Sequence, residues 1–171
     1  MTALESPRLV IREAEADDLP GLLPVYLSNP EFVMMSEGSA GEAGHYDLAM
    51  LQRDWHVQTA MLGAVMLGIY LKGTDEPVGM AGYLAENPSD GYPWLGLLMI
   101  HADHQHQGLG TDAYHRLADH FRADLGWTTL RLGVLRDNAP ARAFWDRLGF
   151  RHVRDATNSN GHPVLVLERA L

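Results

Sequence analysis

The chain has 171 residues, 46% hydrophobic and 20% charged, with no cysteine and a formal charge of −9. That length suits one globular domain, and so ordinary a composition excludes collagen-like, mucin-like and intrinsically disordered classes. Lack of cysteine removes disulfides, thiolate metal sites and cysteine nucleophiles, and the acidic balance speaks against a binder of nucleic-acid phosphates.

In chain order, the opening M-T-A-L-E-S-P-R has no basic segment leading into an apolar one, so no secretory signal is read. Arg8 to Arg12 (R-L-V-I-R) reads as a short strand. From Asp17 to Ser28, Leu19, Leu22, Leu23, Tyr26 and Leu27 recur at helical spacing, and Asn29-Pro30 ends the pattern. Ser36 to Gly44 (S-E-G-S-A-G-E-A-G) reads as a surface loop, and Tyr46 to Gln58 as a helix. Strands follow at Ala64 to Lys72 and Pro77 to Ala85. The longest apolar run lies here, Met61 to Leu71, 11 residues with two glycines. A membrane span needs about 20. The expectation is a soluble, single-domain cytoplasmic protein with neither nucleic-acid nor membrane partners.

Asn87 to Gly91 is a turn, and Trp94 to Ile100 (W-L-G-L-L-M-I) is apolar on both faces, as a central strand covered on both sides would be. Ala113, Leu117 and Phe121 fall four apart on a helix from Leu109 to Leu125, which Gly126 stops. Trp127 to Leu135 is a further strand. Asn138 caps a helix to Leu148, closed by Gly149 with Phe150 folding back. Val153 to Ala156 and Val164 to Leu167 are the last strands. The whole reads as one α+β domain over residues 1–171, a mixed, mainly antiparallel sheet flanked by helices.

The chemistry is concentrated between Leu97 and Thr111, L-L-M-I-H-A-D-H-Q-H-Q-G-L-G-T. A buried strand ends, a polar loop follows, and Gly108-Leu109-Gly110 opens a helix. Glycine lets the backbone approach a ligand, and helix N-terminal amides are unpaired donors, so the segment suits a phosphate or pyrophosphate. There is no G-K-[ST], and Ala113 breaks G-x-G-x-x-G. A second strand-and-capped-helix cassette follows from Leu132 to Phe150. His101, Asp103, His104 and His106 resemble a metal cluster in spacing but lie on the loop that the glycines claim, so no metal is expected.

With both cassettes read, the chain resembles the GCN5-related N-acetyltransferase (GNAT) family. The family's Q/R-x-x-G-x-G/A matches Gln105 to Gly110, and its N-x-x-A-x-x-x-(aromatic)-x-x-x-G-F matches Asn138, Ala141, Trp145, Gly149 and Phe150. The resemblance implies an acetyl-CoA-dependent transfer to an amine, with a CoA-binding core at about residues 94–150. It implies that pantetheine inserts between the strands Trp94 to Ile100 and Trp127 to Leu135, pairing with main-chain groups of Leu98, Met99 and Ile100. The Ile100 amide would then stabilise the oxyanion. Pyrophosphate would rest on amides from Gln105 to Gly110, so that Gln105, His106, Gln107, Gly108, Leu109, Gly110 and Thr111 join Asn138 and Trp145 as implied cofactor residues. Many members carry a tyrosine acid where this chain has Trp145, and some a glutamate base where it has Gly133. By location, His101 and Glu86 are the candidate bases, with Tyr83 beside them and Glu37 on a substrate lid. The implied acceptor is an amine of a small molecule. The acidic first hundred residues, with a balance of −10 against +1 for the rest, suit a cationic one. A non-catalytic acyl-CoA-binding module and a protein N-acetyltransferase are the alternatives. Homodimers are common in the family and remain open here.

Overall fold

A computed structural model describes residues 1–37 and 45–171, with only the backbone of Ser36 and Glu37. Its strands are β1 (Leu4–Glu5), β2 (Leu9–Glu13), β3 (Ala64–Leu71), β4 (Pro77–Leu84), β5 (Trp94–Ile100), β6 (Thr129–Leu135), β7 (Arg151–Thr157) and β8 (Pro163–Ala170). They form one sheet in the order β1-β2-β3-β4-β5-β6-β8-β7. Every neighbouring pair is antiparallel except β5 and β6. The helices are α1 (Leu19–Leu27), α2 (Pro30–Glu37), α3 (Leu48–Thr59), α4 (Leu109–Ala123) and α5 (Ala139–Arg147). The mixed, mainly antiparallel architecture is thus the one the sequence predicts.

Two apolar clusters sit on opposite faces of the sheet. Leu109, Ala113, Tyr114, Leu117 and Phe121 of α4 and Trp145 of α5 pack with Ile69, Ala81, Leu95, Ile100 and Leu132 on one side. On the other, Leu22 and Val25 of α1, Val33 of α2 and Leu51 of α3 cover Met66, Met80 and Met99. The four-residue spacing on α4 is what turns one stripe of that helix inward.

Several element boundaries differ from expectation for local reasons. Asn29-Pro30 does end α1, but Pro30 then opens α2, because a missing N–H is harmless in a first helical turn. Helix α2 therefore claims Ser36 and Glu37, the residue read as part of a lid, from the predicted loop, whose remainder lies outside the described residues. β6 starts at Thr129 rather than Trp127, because Gly126 turns at φ +69° and the Trp127 N–H bonds back to Phe121 O at 2.9 Å. The largest departure concerns β5. It is central, but Gly96 is exposed and Leu97 and Leu98 are half-buried. The strand is not sealed on both faces because its parallel neighbour leaves it.

Candidate active site

β5 and β6 share a single ladder position, Trp94 opposite Arg131, where Arg131 N–H donates to Pro93 O at 3.0 Å. Beyond it they separate. Gly96 is an extra residue in β5, since Leu95 pairs with Tyr83 and Leu97 with Gly82. Such a bulge bends the strand that carries it. Main-chain groups alternate in direction along a strand. His101 N–H donates to Val78 O at 2.8 Å, toward β4, so Met99 and Leu97 also face β4, and Leu98 and Ile100 face the opening. By the same count, Arg131 points to β5 and Gly133 follows it into the cleft. The expectation that Leu98, Met99 and Ile100 all offer main-chain groups is corrected here: Met99 is committed to Met80.

The closed end of the cleft is pinned by charge. The Asp90 carboxylate accepts from Trp94 Nε1 at 3.1 Å and from Arg131 Nη1 at 3.1 Å, and Arg154 Nη2 lies at 3.4 Å. Burial alone would raise the pKa of Asp90, but the Tyr92 N–H, Arg131, Trp94 and Arg154 outweigh it and hold it below the ordinary value. Arg131 also reaches Glu168 at 2.8 Å and stacks on the Tyr92 ring at 3.6 Å.

At the open end lies the glycine loop. His101 caps a short turn, Ala102–His104, its Nδ1 accepting the Asp103 N–H at 3.2 Å. The Gln105 N–H is spent on Ala102 O at 3.3 Å, and its side chain donates to Ile100 O at 2.9 Å and Asn29 Oδ1 at 2.7 Å. Gln105 therefore latches the end of β5 to the α1–α2 corner; it is not free for a phosphate as expected. His106 and Gly108 then take φ of +60° and +79°, and this alternation of backbone sign turns successive N–H groups to one side. From His106 to Thr111 no main-chain N–H meets an acceptor among the described residues, and the α4 ladder begins with Asp112 N–H to Gly108 O at 3.0 Å. Leu109 sends its side chain into the core. The loop is a concentrated donor set that fits a pyrophosphate.

A profile of the acetyltransferase (GNAT) domain matches residues 8–151 of this chain. The chain belongs to the GNAT acetyltransferase family. Its members transfer acyl groups, and acetyl-CoA is the co-substrate. Among solved structures, the crystal structure of an acetyltransferase from Thermus thermophilus is similar over 99% of this chain and 100% of its own, at 26% identity and TM-score 0.77. An acetyltransferase from Salmonella typhimurium that modifies the N-terminal serine of 50S ribosomal subunit protein L7/L12 covers 99% of each chain, at 17% identity and TM-score 0.79. RimL, a ribosomal L7/L12 alpha-N-protein acetyltransferase solved in complex with coenzyme A, covers 99% of this chain and 98% of its own, at 17% identity and TM-score 0.78. Comparison with curated proteins gives no match.

The remaining predicted GNAT residues fall as follows. Asn138 Oδ1 accepts from Ala141 N–H at 3.2 Å and caps α5. Trp145 is 7% exposed, wedged against Phe144, Phe150 and Tyr114 with ring centroids 4.8, 5.2 and 5.8 Å away. At Gly133 a Cβ would stand 3.0 Å from Val164 Cγ1 and 3.4 Å from Trp94 Cζ3, so Val164 and then the indole crowd the position where a side chain would begin. His101 and Glu86 lie beyond opposite ends of β5, which alone spans about 20 Å at 3.3 Å per residue, and do not converge on one atom. Glu86 is exposed and meets no partner among the described residues. Burial, and then the charge of Glu13, pushes the Tyr83 phenol up, against a base role. His104 pairs with Glu76 at 3.3 Å, and no group of three His, Asp or Glu among the described residues is placed to hold a metal. No helix among them is long and apolar enough to cross a membrane.

Three residues escape sequence reading. Asn29 accepts from Gln105. Arg8 donates through Nε to Asp112 Oδ2 at 2.7 Å and through Nη1 to Gln107 O at 2.8 Å. These partners are 76, 104 and 99 positions apart, so no local pattern announces them.

Proposed function

We propose that this acetyltransferase moves the acetyl group of acetyl-CoA to an amine on a small molecule by direct attack. The observation that carries this reading is the cleft between β5 and β6, where free main-chain groups lead straight into an anion-accepting loop. The pantetheine arm would lie along β5 as an added strand, with the Ile100 and Leu98 N–H groups donating to its carbonyls. An arm of roughly four residue-lengths, at 3.3–3.6 Å each, extends past Ile100 to Leu98. We therefore assign the oxyanion-stabilising N–H to Leu98 and an arm carbonyl to Ile100, a shift of one cleft-facing residue from the sequence expectation.

The neutral amine nitrogen attacks the thioester carbon, the C–N bond forms, and the C–S bond breaks. CoA leaves as a thiolate, which a thiol pKa of about 8.5 permits without a tyrosine acid. The surplus amine proton passes to water. Rate then comes from positioning and from the oxyanion donor. The acidic balance of residues 1–100 favours a cationic acceptor.

A second reading, transfer to a protein α-amine, is prompted by the L7/L12-modifying enzymes among the similar structures. Release of free thiol from acetyl-CoA, followed across a polyamine, amino sugars and a peptide beginning with serine, separates the two. Turnover of a small amine is expected. Turnover of the peptide alone would move the assignment to protein, and none with any acceptor would overturn the small-amine reading.

A further inference from the structure

The glycine loop carries an electrostatic contradiction within its first helical turn. Asp112, in the first turn of α4, places a carboxylate beside the amides that the pyrophosphate is read to occupy. Left alone, it would oppose an anion there. The structure places Arg8 on it: Nε donates to Asp112 Oδ2 at 2.7 Å, Nη1 to Gln107 O at 2.8 Å, and Nη2 lies 3.2 Å from where a Cβ on Gly108 would stand. Nη2 has no acceptor among the described residues, and the side chain is 46% exposed. Each of the three nitrogens therefore has a distinct position relative to the loop.

Resting on the acetyl-CoA reading of the cleft, we propose that Arg8 completes the pyrophosphate subsite from the far end of the chain. Its Nε cancels the Asp112 charge. Its Nη1 holds the Gln107 carbonyl, which keeps the following amides turned outward. Its Nη2 is left to donate to a pyrophosphate oxygen. A guanidinium does this in one plane, with five N–H donors spread over three nitrogens in a fixed fork, whereas the three donors of an ammonium radiate from a single nitrogen and cannot span these separated positions. The placement also explains why Gly108 has no side chain beyond the needs of its positive φ: the fork packs against it. The segment before β2 becomes part of the co-substrate site, although the glycine motif lies about a hundred residues away.

The test measures binding by titration calorimetry with CoA, with dephospho-CoA, which keeps the pyrophosphate but lacks the 3′-phosphate, and with S-acetylpantetheine, which lacks both. Arg8→Ala should weaken CoA and dephospho-CoA equally, by about 10- to 100-fold, as loss of a charge-assisted hydrogen bond implies, and leave S-acetylpantetheine unchanged. Arg8→Lys should recover only part of the loss. Arg8→Ala with Asp112→Asn should bind CoA more tightly than Arg8→Ala alone, because an unpaired carboxylate has been removed. Equal weakening of all three ligands would mean a merely structural role and overturn the proposal. Loss confined to CoA would move Arg8 to the 3′-phosphate and also overturn it. Unchanged CoA affinity in both single variants at Arg8 would do the same while leaving the cleft reading intact. Failure of the unaltered protein to bind CoA would remove both.

Discussion

Replacing Gly108 by valine should abolish measurable CoA binding. Gly108 sits at φ +79°, and its missing Cβ leaves room for the Arg8 guanidinium 3.2 Å away. A non-glycine residue in the left-handed region costs about 1–2 kcal/mol, and a β-branched side chain is a true outlier there. The cheapest relief is to turn the loop, which withdraws the free amides and displaces Arg8 together. The expected result is a Kd for CoA raised more than about 100-fold, with the midpoint of unfolding lowered by a few degrees. Gly110→Ala is the instructive contrast. Its Cβ would stand 3.5 Å from the Phe144 ring, an ordinary contact, and its φ is not positive. Stability should hold within about 0.5 kcal/mol, so any loss of CoA affinity there reports close approach of ligand to backbone. Calorimetric titration and thermal unfolding of both variants decide the point. CoA affinity within threefold of normal in Gly108→Val would mean that the loop is not the phosphate subsite.

The second large effect is on rate. Exchanging the peptide N–H of Leu98 for an ester oxygen deletes one donor and leaves the side chain in place. That N–H faces the cleft and makes no ladder bond, so the sheet loses little. Removing an oxyanion donor costs about 10²–10³ in kcat, and that is the expected fall, with KM for acetyl-CoA little changed. The same exchange at Ile100 should raise KM and spare kcat, because on the proposed placement the donor there would hold the arm rather than the reacting carbonyl. The reverse pattern would return the oxyanion to Ile100. Equal falls at both positions would place the thioester between them.

How far the sequence speaks for itself depends on the range over which its residues act. The G-L-G at Gly108 to Gly110, the Asn138 cap and the four-residue stripe on α4 are local signals, and each lands where it is read. The succession of strands and helices along the chain could be laid out because turns and helix stops punctuate it strongly from Asn87 to Phe150. What was not legible is register. Which of Leu98, Met99 and Ile100 turns its main chain to the cleft depends on β4, through the bond from His101 to Val78, and on the bulge at Gly96. Gln105 belongs to the family motif, yet its amide is drawn off by Asn29, 76 positions earlier. Trp145 reads as a ligand contact because the motif demands an aromatic there, whereas three neighbouring rings enclose it. Gly133 reads as a lost base; in the fold Val164 and Trp94 crowd the position where its side chain would begin. Arg8 reads as a strand residue because nothing near it in sequence is acidic in the right place, and its partner Asp112 arrives only when β2 meets α4.

The central claim is that the cleft and its loop hold acetyl-CoA, and thermal unfolding with and without it is the most direct measurement. At one hundred times its Kd a ligand stabilises the folded state by about 2.7 kcal/mol. For a chain of this size that raises the midpoint by roughly 5–10 °C. Acetyl-CoA and free CoA should both produce the shift, and S-acetylpantetheine at the same concentration a much smaller one, because it brings nothing to the loop. No shift with acetyl-CoA at millimolar concentration would contradict the account.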